Sequence, residues 1–591
     1  MARTVGIGIQ DFEQIRERNV FYVDKTDFIR EWWESSDAVT LITRPRRFGK
    51  TLNLSMLECF FSIKYKDRGD LFKGLSIWQD ETYRKLQGTY PVIFISFAGI
   101  KETSFPEARK SICRSIEELY NKHDFLLEGN LLNEKEKEFY QEVSPDMPDS
   151  VAAVSLRSLS DFMGRYYGKK AIILLDEYDT PMQEAMCHVF RKNMTCSSRP
   201  FAEGKSGMDG EFPVNGCWKE LFAFTRSLFN STFKTNPFLE RAVMTGITRV
   251  SKESIFSDLN NLEVVTTTAD KYMTSFGFTE QETFAALEEC SLGAEKEKVK
   301  KWYDGFTFGS HSDIYNPWSI LNFLDKKKIG TYWANTSSNS LAGKLVREGS
   351  PAIKENFETL MQRGTVTAAI DEQIVYNQLD EDEDAIWSLL LASGYLKALS
   401  VDDTPLMEGT GETEYTLALT NMEVRSMFAS MIRGWFKGRS KGDYNGFIKA
   451  LLADDRKLMN IYMNKVALET ISFFDSGNRP SAGEPERFYH GLVLGLLVDL
   501  YGRYTVTSNR ESGYGRYDIM LEPNNSDDAA IVMEFKVYDP VDEESLQDTV
   551  AAALKQINDK KYAQALAAKG IPVERIRSYG FAFEGKKVLI G

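Results

Sequence analysis

Two groups of polar residues have the types and spacing that phosphate chemistry requires, and the first lies near the N-terminus. Phe48-Gly49-Lys50-Thr51 follows an apolar run that begins at Val39, and a helical pattern comes directly after it. Strand, loop and helix in that order form a phosphate-binding P-loop, whose N–H groups and helix dipole attract phosphate. Lys50 would bridge the outer phosphates, and the Thr51 hydroxyl would ligate Mg²⁺. Because Arg44 replaces the first glycine of GxxxxGK[ST], a basic turn is the alternative interpretation.

A second segment of the same region ends in carboxylates. Five apolar residues from Ala171 precede Asp176 and Glu177, which is typical of a buried strand with a ligand site at its carboxyl end. Asp176 would hold Mg²⁺ directly or through water, and Glu177 would orient or deprotonate the attacking water. A buried strand followed by an acidic turn is the simpler alternative.

A further apolar strand, Ala242 to Thr245, ends in a polar residue, and Arg249 lies just beyond it. A guanidinium at this position would neutralise charge on a transferring phosphoryl group. An ion pair between Arg249 and a surface acid such as Asp258 explains the arginine equally well.

The second group of polar residues lies near the C-terminus. Asp518 begins one predicted strand, and Glu534 and Lys536 lie in the next, after the apolar run Ala530 to Met533. Residues two apart on a strand point the same way, so Glu534 and Lys536 share a face, which Asp518 joins if the strands pair in the expected register. The two carboxylates would hold Mg²⁺ against a scissile phosphate, and Lys536 would position or help deprotonate the attacking water.

Composition limits the function classes. The chain has 591 residues, of which 42% are hydrophobic and 27% charged, as in ordinary globular proteins of several domains. Its net charge of -14 argues against a protein that coats nucleic acid indiscriminately. Six cysteines and four histidines show no metal-ligand spacing, so we expect reduced thiols in a cytoplasmic protein. The N-terminus lacks an apolar signal core, and the longest apolar run, near Leu492 to Leu497, is too short to cross a bilayer.

The order of patterns predicts how the chain is divided. Strands alternating with helices predict a parallel α/β sheet in the N-terminal part. Thr279-Glu280-Gln281-Glu282 is a capping box that begins a helix. In the mainly helical middle region, a helix, Gly394 and two strands are compatible with a winged helix, although nearby acidic residues favour an interdomain scaffold over DNA contact. Ser476 to Pro485 is the clearest linker. Arg191 to Gly216 is interpreted as a long loop, which could be a lid, a partner-binding loop or a tolerated surface insertion.

The chain resembles bacterial AAA-ATPase-like proteins that carry a C-terminal PD-(D/E)XK nuclease-like domain. The motifs that carry this resemblance, besides the C-terminal carboxylates, are Tyr22-Val23-Asp24-Lys25-Thr26, Arg44-Pro45-Arg46-Arg47-Phe48-Gly49-Lys50-Thr51, Asp176-Glu177-Tyr178-Asp179-Thr180-Pro181, Thr245-Gly246-Ile247, Asn260-Asn261-Leu262 and Tyr303-Asp304-Gly305-Phe306. It implies an ATPase domain over residues 1–270, a helical lid over 271–335, an interdomain region over 336–476 and a nuclease-like domain over 485–591. An arginine at position 44 is normal in that family.

The resemblance also implies ligands and partners. ATP and Mg²⁺ would be the cofactors, nucleic acid and a second copy of the chain the partners, and Thr245 would sense the γ-phosphate. The residues expected to bind ATP are Arg46, Arg47, Phe48, Gly49, Lys50, Thr51, Asp176, Thr245 and Arg249. In the nuclease-like domain, Gln556 and Tyr562 resemble a QxxxY element whose spacing here is six. Glu486, His490 and Arg516 would either face the metal site and phosphate or be structural.

Three functions are consistent with these patterns. The first is an ATP-hydrolysing protein coupled to a Mg²⁺-dependent nuclease acting on DNA or RNA. The second is a nucleotide-driven regulatory switch with an inactive, binding-only nuclease-like domain, since the leading Pro-Asp pair of that superfamily is here Tyr517-Asp518. The third is an interaction protein in which both sites are vestigial.

Overall fold

The computed structural model divides the chain into two compact units. It describes residues 3–185, 217–248, 259–334, 350–371, 385–407, 412–435, 441–474, 484–508, 518–540, 543–585 and 587–591, with positions 256, 342, 343, 346, 511, 512, 515 and 516. The first unit contains the described residues up to 334 and those from 365 to 425. The second contains those from 342 to 364 and from 426 to 591.

The first unit is built on a parallel sheet, as the sequence predicts. Its strands are β1 (Val39–Thr43), β2 (Val92–Ser96), β3 (Ala171–Asp176), β4 (Leu239–Gly246) and β5 (Leu262–Val265). They are arranged β2-β3-β4-β1-β5, and all neighbouring pairs are parallel. The carboxyl ends of β1, β4 and β3 therefore lie side by side at one edge, where α/β sheets bind ligands.

Helices cover this sheet through apolar side chains. In chain order they are α1 (Phe12–Glu17), α2 (Asp27–Ser35), α3 (Lys50–Phe61), α4 (Glu81–Leu86), α5 (Phe105–Lys122), α6 (Glu134–Glu142), α7 (Asp149–Tyr167) and α8 (Cys217–Phe229). Trp32 of α2 is fully buried and packs edge-on against Phe61 of α3. The tryptophan is therefore part of the core around the first strand.

The next part of the first unit combines helices with a small sheet that the sequence had not indicated. Its elements are β6 (Phe278–Thr279), α9 (Glu280–Glu289), α10 (Lys296–Tyr303), β7 (Asp304–Phe308), β8 (His311–Tyr315) and α11 (Pro317–Lys326). The strands are antiparallel in the order β6-β8-β7. Thr279 and Glu282 form the reciprocal hydrogen bonds of the predicted capping box at the start of α9. The apolar core of this part of the first unit includes Leu287, Val299 and Phe323.

The chain then contributes helix α12 (Pro351–Met361) to the second unit before returning to the first. The returning elements are β9 (Val366–Ala369), α13 (Ala385–Ala392), β10 (Leu396–Asp402), α14 (Thr404–Met407), β11 (Glu414–Leu419) and the start of α15 (Met422–Trp435). The strands are antiparallel in the order β10-β11-β9. Gly394, at φ 82°, leaves no room for a side chain, because a Cβ there would lie 2.8 Å from Pro45 Cγ. This module thus packs directly on the phosphate loop.

The second unit contains a mixed sheet. Its further elements are α16 (Lys441–Ala453), α17 (Arg456–Phe474), α18 (Glu484–Asp499), β12 (Tyr504–Ser508), β13 (Glu511–Ser512), β14 (Gly515–Arg516), β15 (Ile519–Pro523), β16 (Ala530–Val537), α19 (Leu546–Asp559), α20 (Tyr562–Ala568), β17 (Ile576–Glu584) and β18 (Lys587–Ile590). The sheet order is β12-β15-β16-β17-β18, with β16 and β17 parallel and the other pairs antiparallel. Beyond Pro485 the sequence patterns predict the order helix, three strands, helix and strand, and the structure contains this order. The second helix, predicted from Glu543 to Leu566, is two helices rather than one, and β13, β14 and β18 are additional.

Helix α17 covers the edge of this sheet. Asn460 exchanges two side-chain hydrogen bonds with the backbone of Ile590, and Asn464 does the same with Val588. The two asparagines are four residues apart, so they occupy one face of α17 and imitate a neighbouring strand. Edge strands expose unpaired N–H and C=O groups, and these contacts satisfy those of β18.

No helix within the described ranges is long and apolar enough to cross a membrane.

Candidate functional site

The phosphate loop joins β1 to α3. Gly49, at φ 84°, precedes the first helical residue, Lys50. The buried Lys50 Nζ donates to the carbonyl oxygens of Arg44, at 2.8 Å, and Pro45, at 3.0 Å. Burial lowers the pKa of Lys50, while the nearby carboxylates, Glu177 foremost, oppose that shift. The ammonium group is therefore held inside the loop, where a polyphosphate would need it.

The side chain of Asp176, at the end of β3, is hydrogen-bonded by side chains from β2, β4 and α3. Its Oδ2 accepts from the Thr51 hydroxyl at 2.9 Å and from the Ser96 hydroxyl at 3.2 Å. Its Oδ1 accepts from the Thr245 hydroxyl at 2.8 Å. Burial raises the pKa of Asp176, and the bonds from Thr245 and Thr51 oppose the rise. The structure thus brings together three predicted residues. Ser96, which the sequence analysis missed, has the same signal as Thr245, because it is a polar residue ending a buried strand.

The turn after β3 positions the second carboxylate of the predicted pair. Glu177 has a left-handed backbone, φ 49°, and its side chain accepts from the Thr180 hydroxyl at 3.2 Å. Asp179 is buried and accepts from the backbone N–H groups of Ile247 and Thr248 at 2.9 and 3.2 Å. Burial raises the pKa of Asp179, and these backbone bonds oppose the rise. The segments that follow β3 and β4 are therefore fastened together beside the phosphate loop.

A cavity of about 400 Å³ opens at this edge of the sheet, within the usual range of small-molecule sites. Among the predicted residues, those that line it are Arg46, Arg47, Phe48, Gly49, Lys50, Thr51 and Glu177. Asp176 and Thr245 lie one hydrogen bond away, bound to Thr51 and to the Glu177 N–H. Apolar side chains that include Ile9, Val20, Pro317 and Leu321 also line it. The cavity therefore offers both a phosphate-binding wall and an apolar one.

Arg44 explains how the loop forms without its first glycine. The side chain is fully buried, and its guanidinium donates to backbone carbonyls that include those of Thr43, at 3.0 Å, and Lys271, at 3.3 Å. It also lies over the Phe308 ring at 4.6 Å. Burial lowers the pKa of Arg44 to about 9. The arginine does not line the cavity but fastens the loop to the chain that follows β5.

Further contacts hold the loop from the opposite side. The carbonyl oxygen of Arg46 accepts from Trp333 Nε1 at 2.9 Å and from Asn316 Nδ2 at 3.4 Å. The Arg46 side chain itself is exposed and donates to Gln183 at 3.3 Å. These contacts fix the backbone that would surround the phosphates, so the loop is positioned from the small-sheet side of the unit as well as from β1.

The N-terminal motif Tyr22-Val23-Asp24-Lys25-Thr26 has both lining and fastening roles. Tyr22, Val23 and Lys25 line the cavity. Lys25 Nζ forms an ion pair with the capping-box residue Glu282 at 2.6 Å. Burial lowers the pKa of Lys25, and Glu282 opposes the shift. The motif thus ties the N-terminal segment to the start of α9.

In the second unit, the predicted carboxylates are brought together. Ile519 pairs with Met533 across antiparallel strands, which places Asp518 opposite Glu534. Asp518 Oδ2 accepts from the N–H of Phe535 at 2.7 Å. Glu534 is only 3% exposed, and its pKa is raised to about 8 by burial first and by Asp518 second, while Lys536 opposes the rise. Lys536 lies two residues after Glu534 on the same face, so the three predicted groups share it.

Two further residues complete this site. Gln556 Nε2 donates to Glu534 Oε1, and Gln556 is also hydrogen-bonded to the fully buried Tyr562. Burial raises the pKa of Tyr562 to about 12, with Glu534 contributing. The spacing of six arises because α19 ends at Asp559 and Lys561, at φ 57°, turns the chain into α20. The weak sequence match therefore corresponds to two residues that do adjoin the carboxylate.

The donor set fits a divalent ion at this position. Glu534 Oε2 is a buried oxygen without a hydrogen-bond partner among the described residues. An oxygen of that kind is costly to bury unless a ligand satisfies it, and carboxylate oxygens are the ligands that Mg²⁺ prefers. Arg249 and the loop 191–216 lie outside the described residues, and nothing is described of the side chains of Glu486, His490 and Arg516.

Comparisons with known proteins match the two regions of the chain that contain these residues. Residues 6–256 match the AAA-ATPase-like family, described as a predicted AAA-ATPase, and residues 484–591 match the PD-(D/E)XK nuclease superfamily. These two matches confirm the expected resemblance to AAA-ATPase-like proteins with a C-terminal PD-(D/E)XK nuclease-like domain. It is also similar to an Azotobacter chroococcum mcd 1 protein named "Uncharacterized protein in vnfD 5'region". The two are 24% identical over 572 residues, which cover 96% of this chain and 94% of that protein.

Proposed function

We propose that this protein binds and hydrolyses ATP and that this activity is coupled to a Mg²⁺-dependent nuclease acting on DNA or RNA. The observation that carries the ATPase proposal is the meeting of the Thr51 and Thr245 hydroxyls at Asp176. A basic or acidic turn would not require hydroxyls from two separate elements to converge on one buried carboxylate beside a loop lysine.

The first unit would divide the work of phosphoryl transfer among its residues. The loop N–H groups and Lys50 bind the β- and γ-phosphates. Thr51 and Asp176 would hold Mg²⁺, which when bound neutralises charge on the phosphates. Glu177 orients the attacking water or accepts its proton. Thr245, bonded to both Asp176 and the Glu177 N–H, keeps the two carboxylates in register with the γ-phosphate.

The second unit would use a Mg²⁺ ion of its own to cleave a phosphodiester bond of nucleic acid. Asp518 and Glu534 would hold Mg²⁺, which when bound polarises the scissile phosphate and lowers the pKa of a coordinated water. Lys536 orients that water, and Gln556 holds one oxygen of Glu534 in place. Because the raised pKa leaves Glu534 largely protonated at neutral pH, its proton must leave before the carboxylate binds the ion.

The proposed activities also imply a substrate, a cellular compartment and a second copy of the chain. Nucleic acid is the substrate of the second unit. We also propose that the chain works in the cytoplasm, where buried thiols such as Cys59 and Cys113 stay reduced, and that a second copy completes the ATPase site. Size-exclusion chromatography with light scattering, with and without ATP, tests the last point, because a monomer under both conditions contradicts it.

A second candidate is a nucleotide-driven switch whose nuclease-like domain only binds. Two features favour it: the tyrosine at position 517 in place of the usual proline and the burial of Glu534, which raises the pKa of that carboxyl to about 8. Binding of nucleic acid without cleavage at any pH between 6 and 9 would support the switch over the nuclease.

Two assays test the proposal. ATP turnover should be lost in Lys50→Ala and retained in Lys85→Ala, an exposed lysine of α4. Mg²⁺-dependent cleavage should be lost in Asp518→Ala and Lys536→Ala and retained in Lys587→Ala, an exposed lysine of β18. Equal ATP turnover in wild type and Lys50→Ala would refute the ATPase assignment. Cleavage by the Asp518 and Lys536 variants at the wild-type rate would refute the nuclease assignment.

A further inference from the structure

Arg47 combines an unusual backbone with an unusual side-chain position. Its φ of 66° lies in the left-handed region, which favours glycine. Its guanidinium carbon lies 4.3 Å from the centre of the Trp318 ring, at the start of α11. Holding an arginine in that backbone conformation costs free energy that a glycine would save. The cost points to a use for the side chain.

The contact with the Trp318 ring engages the guanidinium without using its N–H donors in hydrogen bonds to described residues. A guanidinium carries five N–H donors in its plane, so it stacks on an aromatic ring and forms hydrogen bonds at the same time. Among the residues that the structure describes, Arg47 forms no hydrogen bond or ion pair. Arg47 and Trp318 both line the 400 Å³ cavity. The donors are thus presented to whatever binds there.

The position of the pair within the cavity suggests which group it meets. Lys50 and Thr51 lie at the phosphate-binding wall, and Trp318 belongs to the apolar wall with Pro317 and Leu321. Arg47 reaches from the first wall to the second. A nucleotide with its outer phosphates at Lys50 and its base on the apolar wall has its α-phosphate between the two.

We propose that Arg47 binds the phosphate nearest the ribose and that Trp318 is the positioning residue that orients its guanidinium. This inference rests on the proposed ATP site and adds to it how the loop holds the nucleoside end of the ligand. Because ATP and ADP share the α-phosphate, Arg47 contributes to the binding of both. An arginine suits this task better than a lysine, since its planar fork pairs with two phosphate oxygens.

Equilibrium binding of ATP and ADP to the full chain in Mg²⁺ tests the role of Arg47. Arg47→Gly places the residue that the backbone favours, so the variant is expected to fold. The Kd for both nucleotides should rise by about tenfold or more, and a bound fluorescent ADP analogue should leave faster in a chase with unlabelled ADP. Arg47→Lys should recover only part of the affinity, and Lys85→Ala should match the wild type.

The role of Trp318 needs a separate readout. Trp318→Ala should raise both Kd values by about threefold, and Trp318→Phe should raise them less, because a phenyl ring still offers a face to the cation. The double variant Arg47→Gly/Trp318→Ala should bind no more weakly than Arg47→Gly alone, since the tryptophan acts through the arginine. Additive losses would overturn the positioning role.

Other outcomes overturn the assignment of Arg47 itself. Unchanged affinities in Arg47→Gly, or a loss confined to ATP, would place the guanidinium elsewhere. If the wild type binds ATP and Lys50→Ala does not, such a result refutes the Arg47 inference and leaves the ATP site standing. A wild type that binds neither nucleotide refutes both.

Discussion

Asp176 and Glu534 are both buried carboxylates at the centre of a proposed phosphate site, yet their surroundings differ. Three hydroxyl groups donate to Asp176 and satisfy both of its oxygens. Glu534 accepts from Gln556 at one oxygen, and no described residue donates to the other. The pKa of Glu534 is raised to about 8, with the Asp518 carboxylate adding to the effect of burial.

These surroundings determine how each carboxylate would bind a metal ion. Hydroxyls can keep Asp176 in place before and after an ion binds, because they rotate to suit either state. Glu534 lacks such a set, and burial together with the Asp518 carboxylate favours its protonated form. The proposed ATPase site is therefore preorganised by the fold, whereas the proposed nuclease site would be completed by its metal.

The largest effect is expected from Glu534→Gln. The amide keeps the shape but cannot carry the charge that binds Mg²⁺, so cleavage should fall on the order of a thousandfold or more. ATP turnover measured in the absence of nucleic acid should match the wild type. Cleavage at the wild-type rate would show that Glu534 is not a metal ligand.

A smaller effect is expected from pH. Only the deprotonated form of Glu534 binds the ion, so at low Mg²⁺ the cleavage rate should rise about tenfold per pH unit up to pH about 8 and then level. Saturating Mg²⁺ should move the midpoint to lower pH, because the metal competes with the proton. A rate already level at pH 6 in low Mg²⁺ would contradict the raised pKa.

Thr245→Ala tests the hydrogen bond from the Thr245 hydroxyl to Asp176. Loss of the hydroxyl leaves Asp176 Oδ1 without its donor, and we expect ATP turnover to fall about tenfold to a hundredfold. Thr245→Ser restores the hydroxyl and should recover most of the rate. If alanine and serine behave alike, the methyl group rather than the hydrogen bond is what matters.

The smallest effect concerns stability. The folded-state pKa of Glu534 lies above the ordinary value of 4.5, so the folded chain binds the extra proton and its stability decreases as pH rises from about 4.5 to about 8. Without Mg²⁺, the unfolding transition of the second unit should move down by roughly 5 °C between pH 5 and pH 8. Glu534→Gln should flatten this dependence, as measured by thermal unfolding in EDTA. An equal decrease in both proteins would assign it to other groups.

Much of the architecture follows from local patterns. The continuous apolar runs that begin at Val39, Ala171 and Ala530 each indicate a buried strand, and the structure confirms the parallel sheet and the mixed C-terminal sheet. Strand β5 was missed because Leu262–Val265 is short and carries a charged residue. The break between α19 and α20 was missed because Lys561 adopts a conformation that no residue preference for lysine signals.

The site was harder to predict where it depends on distant contacts. The pattern around Gly49 and Lys50 indicates a phosphate loop by itself. By contrast, the role of Arg44 depends on carbonyls more than two hundred residues away, and the contact between Arg47 and Trp318 joins a loop to a helix of another part of the chain. A single sequence records neither contact, because both depend on tertiary packing.

Both sites are proposed to act on phosphates, and the first is proposed to control the second. The most direct test of these proposals is a Mg²⁺-dependent cleavage assay over single- and double-stranded DNA and RNA, with and without ATP, for wild type, Lys50→Ala and Asp518→Ala. We expect wild type to cleave at least one substrate in an ATP-dependent manner, Lys50→Ala to lose that dependence, and Asp518→Ala to cleave none. Indistinguishable cleavage patterns for the three proteins would contradict both the nuclease assignment and its control by ATP.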